Sequence, residues 1–489
     1  MNINISKIEF IILFSLSIIL PWSIILATPQ LHIGYWGQIE GMIAFSHFIA
    51  AITSFFLIII GLKNKNFRIL FANPLVLIPS LIGIFSIISA LFQRLPILSL
   101  YGSPQIGQGA FWYFTLSIFT MLYLIIMNNK ICKLVLFFNF LLIILTVSIG
   151  SFYPTITGII ISFFGFNDWL AFYFTVFFLS LIYITDAIKL KIKKEILGFL
   201  VFLLLGFLFW KIDNNSALAI WLILTFGWFL WILLDSLNFR LKAFVNYIYN
   251  PLIFTCIPIL LSLIIIFASF MFWDGTTNQT EEITDLSSWT GHLGTLVARG
   301  SIVRVLFDDL NSIKSILFGY GWGSISELLL VNFTPEVFFQ INTGNRVHFH
   351  THNELFEHIF SVGIIGAFLY ILYIYHVFRH SFAHSISVSF IWLLYFCISA
   401  FWFQWISTLA LLGMFSALLI LNVSSNFNST KLKNIFKSNL FYAFYIGFIS
   451  IFLFYGAYIG YFTASKHTDS FKSAELIKIA EESKIKGNC

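Results

Sequence analysis

Charge is scarce in this chain. Asp, Glu, Lys and Arg together make up 10% of its 489 residues, where a soluble globular domain carries roughly 25%. A water-soluble fold is excluded, and the 59% of hydrophobic residues point to a bilayer. Cysteine is scarcer still. Cys132, Cys256, Cys397 and Cys489 form no CxxC pair and offer no disulfide framework. The HExxH signature of a zinc hydrolase is also missing. Acids are nearly absent from the apolar runs: Asp186 and Asp235 fall at their inner ends and Asp168 near an outer one. Ion-coupled transporters place ionisable groups along their pathways, so the chain reads poorly as one.

Apolar runs fill most of what is there. Runs centred on 8–27, 42–62, 69–92, 110–127, 131–150, 168–187, 196–210, 216–237, 252–273, 354–378, 386–403, 404–423 and 439–463 approach the roughly 20 residues that a bilayer requires. They are continuous rather than alternating, which excludes a β-barrel. The expected fold is all-α, a polytopic membrane protein of about 12–13 transmembrane helices. The first run carries Pro21 and no clear small-x-small cleavage site, so it is read as a span rather than a removable signal. The 61 Phe residues are spread through the runs as lipid-facing and packing residues.

The cations orient these spans. With the N-terminus in the cytoplasm, Lys7, Lys63, Lys65, Arg68, Lys130, Lys133, the four Lys within 189–194, Arg240, Lys242, Arg379, Lys431, Lys433 and Lys437 all fall inside. Only Arg94 and Lys211 fall in short outer loops, the asymmetry of the positive-inside rule. The formal charge of +6 is therefore a topology signal and not a nucleic-acid footprint. The chain divides into N-terminal spans (1–273), a periplasmic segment (274–353), C-terminal spans (354–463) and a short polar tail (464–489). Thirteen spans put that tail outside; twelve put it in the cytoplasm.

The outer segment gathers the chemistry. It ends in His348, His350 and His352, alternating so that an extended strand would place them on one face. Glu354 and His358 follow as an i, i+4 pair where a helix begins. Three readings apply: a zinc site, polar decoration of a membrane boundary, or a neutral imidazole acting as general base near neutral pH. Arg299, Arg304 and Arg346 sit in the same segment although the positive-inside trend disfavours them there. Arginine grips phosphate or diphosphate in a bidentate fork; the plain alternative is pairing with Glu281, Glu282, Asp308 or Asp309. Gly319-Tyr-Gly-Trp-Gly323 is a glycine-spaced turn that lacks the cation or hydroxyl of a phosphate loop. Its Trp322 is read either as a face for a sugar to stack on or as packing.

Taken in order, these residues resemble the superfamily of O-antigen ligases, O-antigen polymerases and PglL-type O-oligosaccharyltransferases. Gly102-Ser-Pro-Gln-Ile-Gly-Gln-Gly109 is similar to its glycine-bearing outer loop, and Phe164-Gly-Phe-Asn-Asp-Trp-Leu-Ala171 to a segment at a span start. An outer Arg, here Arg299 or Arg304, precedes the turn at Gly319–Gly323. His350-Thr-His-Asn353 followed by Gly363-Ile-Ile-Gly366 looks like the HxHN…GxxG hallmark.

The resemblance implies transfer of a glycan from an undecaprenyl-diphosphate carrier on the periplasmic face, with no metal and no cofactor. By position, His352 would be the base that activates an acceptor hydroxyl. Arg304 or Arg299 would steady the departing diphosphate. His350, Asn353, Arg346, Lys211 and Trp322 complete the expected substrate site. Where the family carries a Ser-Arg pair, this chain reads Lys211-Ile-Asp-Asn-Asn-Ser-Ala217. Either Lys211 supplies that cation, as a point charge without the fork of Arg, or the diphosphate is held differently. The favoured expectation is O-antigen ligation to lipid A-core in a bacterial inner membrane. Polymerase and protein O-oligosaccharyltransferase are close alternatives, and a lipid-linked glycan flippase or exporter is the rival from another class.

Overall fold

The computed structural model describes residues 5–22, 34–93, 96–102, 107–152, 194–212, 214–236, 249–272, 310–325, 350–402, 406–422 and 430–485, with Gln404 and single residues within 171–182 and 302–307. Every regular element among them is a helix. The principal ones are α1 (Lys7–Ile19), α2 (Gly34–Lys63), α3 (Pro74–Ala90), α4 (Ala110–Ile126), α5 (Lys130–Phe152), α6 (Lys194–Lys211) and α7 (Asn215–Ser236). They continue as α8 (Pro251–Phe272), α9 (Ile313–Phe318), α10 (Glu354–His384), α11 (Ile386–Ser399), α12 (Ile406–Asn422) and α13 (Asn439–Ile485).

Among the described residues, five helices are long and apolar enough to cross a bilayer: Glu40–Lys63, Asn215–Leu233, Pro251–Ala268, Glu354–His384 and Asn439–Thr463. They coincide with five of the expected runs. A sixth run, 69–92, is broken: Lys65–Ala72 meets α3 at a bend of 64°. The reason is local. Pro74 offers no N–H and holds Asn73 in an extended conformation (φ −67°, ψ 133°), and Asn73 Oδ1 accepts from Leu75 N instead, starting α3 afresh. Four more apolar helices are shorter: Ala110–Ile126, Ile196–Lys211, Ile386–Ser399 and Thr408–Leu421. The run expected at 168–187 lies largely outside the described residues.

All 17 residues of α4 are buried. Its sequence is apolar all round, the pattern of a helix enclosed on every side, and it packs against α2, α3, α12 and α13. By contrast α6, α7 and α8 form a peripheral layer on α11, with Phe207, Trp210, Ile223, Phe226 and Phe267 exposed. These exposed apolar side chains lie on helices long or apolar enough to meet a bilayer.

The body has two distinct ends. At one, Lys63 pairs with Glu9 at 2.8 Å, while Arg68 donates to the carbonyls of Gly61 (2.8 Å) and Lys437 (2.9 Å). At the other, α10 begins. α13 runs antiparallel to α2: Tyr442 Oη donates to Leu57 O at the basic end, and Gly460 faces Ala44 and Tyr101 at the other. The expected division at 463/464 falls inside α13, which stays helical to Ile485. Its Ala, Glu, Lys and Ile are tolerated or favoured in helix, so nothing stops it where the apolar run ends. The tail therefore leaves the body at the end where α10 starts.

Candidate functional site

Four sequence-distant segments build the site: the loop around Gln108, the glycine turn, the start of α10, and the turn between α11 and α12. Asn353 organises the third. Its Oδ1 accepts from Phe356 N (3.2 Å), capping α10, and its Nδ2 donates to Ala400 O (2.9 Å). It is buried with both polar atoms engaged, so it fixes the chain where the span begins and presents no atom to a substrate. Thr351 reinforces that start, with N and Oγ1 at 2.8 and 3.0 Å from Glu357 Oε2.

Between Thr351 and Asn353 the backbone turns sharply. His352 has φ 53°, and among the described residues it is the one non-glycine with positive φ. Such a conformation costs of order 1–3 kcal/mol and persists where its surroundings enforce it. The expected extended strand is therefore not what forms here: the N-cap demands of α10 and the bonds of Thr351 bend the chain. His350 and His352 nevertheless meet, because His352 N donates to His350 Nδ1 (3.1 Å) and brings the ring centroids to 4.0 Å. His350 is buried, His352 half-buried. Trp402 closes the group at 4.7 Å from the His352 ring and 5.9 Å from the His350 ring.

Beneath lies a closed polar network. His358 Nδ1 donates to Glu354 O (2.7 Å), since a carbonyl can only accept, and Nε2 then takes the Tyr113 hydroxyl at 2.6 Å. Gln108 Nε2 donates to Tyr113 Oη (3.0 Å) and to Glu354 Oε1. Glu354 Oε2 accepts from Gln404 N (3.1 Å). Every member is buried. The i, i+4 partners do approach, at 3.7 Å between His358 Nδ1 and Glu354 Oε1, but their better bonds go elsewhere. Glu40, which precedes the apolar run at 42–62, is another acid within a membrane-length helix and is also buried.

The glycine turn docks on a break in α10. Gly363 (φ 73°, ψ −172°) interrupts the helix and frees the carbonyls of Phe360 and Ser361. Tyr320 N donates to Phe360 O (2.6 Å) and Gly321 N to Ser361 O (2.9 Å), while Ser89 Oγ also reaches Ser361 O (3.0 Å). Broken helices at membrane depth persist only with such replacement partners. A Cβ on Gly363 would strike the backbone of Leu317 and Phe318, and one on Gly319 the backbone of Phe360 and Ser361. The two glycines require each other.

Trp322 does not offer a face for sugar stacking. It is 1% exposed, its Nε1 donates to Ser86 Oγ (2.8 Å), and Tyr113 and His358 enclose it. Packing against His358 is what the turn uses it for. Lys211 ends α6, exposed, in the peripheral layer. Arg299, Arg304, Arg346 and His348 lie outside the described residues. Among the described residues no three His, Cys, Asp or Glu side chains converge as a metal site.

Trp402, Gln108 and Tyr113 belong to the site and were not marked by sequence. Trp402 falls where the apolar run at 386–403 ends, and Gln108 sits in the glycine-bearing loop; neither has a motif of its own.

The fold and this cluster define a class: a multi-pass helical membrane protein with a buried polar site at one end. Comparison with models of protein families, with curated proteins and with solved structures finds no match to this chain.

Proposed function

We propose that the protein is a metal-independent glycan transferase of the O-antigen ligase type. It moves an undecaprenyl-diphosphate-linked oligo- or polysaccharide to lipid A-core at the periplasmic face of a bacterial inner membrane. The observation that carries the reading is His352: a half-buried imidazole, on a strained backbone, backed by His350 and Trp402 at the mouth of an apolar helix. The cation-rich end opposite supports a cytoplasmic N-terminus.

In the step proposed, His352 takes the proton of an acceptor hydroxyl. The oxygen forms a bond to the anomeric carbon of the donor glycan. The bond from that carbon to the diphosphate oxygen breaks, and its electron pair leaves on undecaprenyl diphosphate. Arg304 or Arg299 is the cation to which the developing negative charge falls, Arg346 belongs with the substrate-binding residues, and Lys211 is the alternative cation at the family's Ser-Arg position.

A deletion strain tests this through its lipopolysaccharide. Loss of long glycans from lipid A-core, with carrier-linked glycan accumulating outside, is the expected result, and His352→Ala fails to restore attachment. Single repeat units left on the core would instead identify a polymerase. Carrier-linked glycan trapped on the cytoplasmic side would identify a flippase, and unchanged lipopolysaccharide with altered protein glycans would identify an oligosaccharyltransferase.

A further inference from the structure

The turn between α11 and α12 is held from both sides. Asn353 Nδ2 grips Ala400 O at 2.9 Å, and Glu354 Oε2 accepts from Gln404 N at 3.1 Å. Trp402 lies between these anchors, so the residues that start α10 also fix where its indole sits. That place is against His352, at 4.7 Å and 58° between ring planes, with His350 as the third corner of a triangle, 4.0 Å from His352 and 5.9 Å from the indole. Among the described residues, the acids at the start of α10 are engaged elsewhere: Glu354 by Gln108 and Gln404, and Glu357 by Thr351. Of the described residues of the α11–α12 turn, Trp402 is the one whose ring meets this imidazole.

We propose that Trp402 is a positioning residue for His352: its indole sets the orientation of the imidazole and holds the charge that the ring gains on taking a proton. Indole is the strongest aromatic partner for a cation, and a ring over a forming imidazolium favours it at the moment of transfer. Because the turn is anchored in the α10 N-cap, the indole needs no rearrangement to do so. The assignment rests on His352 being the base, and it gives the aromatic role expected of Trp322 to a different residue and a different purpose.

The full chain in lipid nanodiscs provides the test. A protonated imidazole in contact quenches indole emission, so the emission difference between wild type and Trp402→Phe brightens as pH rises through the histidine range. That pH dependence disappears when the same difference is taken in a His352→Gln background with His350 intact. With carrier-linked O-antigen as donor and lipid A-core as acceptor, Trp402→Leu lowers kcat about fivefold at unchanged KM, while Trp402→Phe, which keeps a ring, retains most of the rate.

A difference emission that ignores pH, or that titrates alike in His352→Gln, overturns the proposal. So does a Trp402→Leu enzyme with raised KM and intact kcat, which marks a sugar-binding surface. The emission measurement requires no turnover. Absence of transfer by the wild-type chain therefore removes the proposed function separately, whatever the emission shows, whereas full transfer by His352→Gln removes the base on which the positioning role rests.

Discussion

His352 and His358 lie on either side of the Asn353 cap and meet opposite surroundings. His358 is fully enclosed, stacked on Tyr370 at 4.1 Å and 16°, with both ring nitrogens matched to Glu354 O and the Tyr113 hydroxyl. His352 is half-buried, with a backbone in the left-handed region and aromatic rings as its neighbours. A buried polar group with every bond satisfied specifies structure. An imidazole on a strained backbone at the edge of the body is where the proposed chemistry falls. Residue type and sequence neighbourhood hardly differ between the two; burial and backbone conformation separate them.

The sharpest way to break this contrast is to remove each ring in turn. We predict that His352→Ala lowers glycan transfer by about 10²-fold or more, the range of a lost general base, and leaves thermal unfolding in detergent unchanged. His358→Ala should do the reverse at first sight: a lower melting temperature, with loss of activity only in proportion to lost folded protein. A His358→Ala protein of wild-type stability and no activity would erase the distinction drawn here.

Next in size is Gly363→Ala. The substitution meets both a positive φ and the backbone of Leu317 and Phe318, so a destabilisation of about 3 kcal/mol is expected, read as a fall in melting temperature. Gln108→Ala probes the same network from its far side. It removes one donor from the buried Glu354 carboxyl and one from Tyr113, at a cost of about 1–3 kcal/mol. Smallest of all is Lys211→Ala, where an exposed side chain in the peripheral layer should shift stability by no more than about 0.5 kcal/mol. A loss of transfer without loss of stability there would assign Lys211 to donor binding.

Five of the expected spans were legible because run length and apolar content are local properties. So was the start of α10, where Asn353 precedes an apolar helix bearing Glu354 and Glu357 in its first turn. The glycine turn was legible as a turn. What it turns towards was not, since Gly319 and Gly363 meet through tertiary contact between backbones. Gln108 and Glu354 are 246 residues apart, and no periodicity links them. α4 shows the limit from another direction: an all-apolar sequence fits a lipid-exposed helix as well as a central one, and only the packing of α12 and α13 around it decides. Trp322 stood between a sugar-stacking face and packing, because an aromatic beside glycines suits an open turn as well as a closed one. Its indole fills the space beside His358.

The break in α10 also bears on the order in which the protein is assembled. The two carbonyls released at Gly363 receive N–H groups from Tyr320 and Gly321, which leave the ribosome before α10 does. When α10 enters the membrane its donors already exist, and the interruption need never face lipid unpaired. Gln404, Ala400 and the indole of Trp402 arrive only afterwards. The docking of the glycine turn on α10 can therefore form during synthesis, whereas the Glu354–Gln404 and Asn353–Ala400 bonds and the contact between Trp402 and His352 close only once α11 and the turn after it have been made.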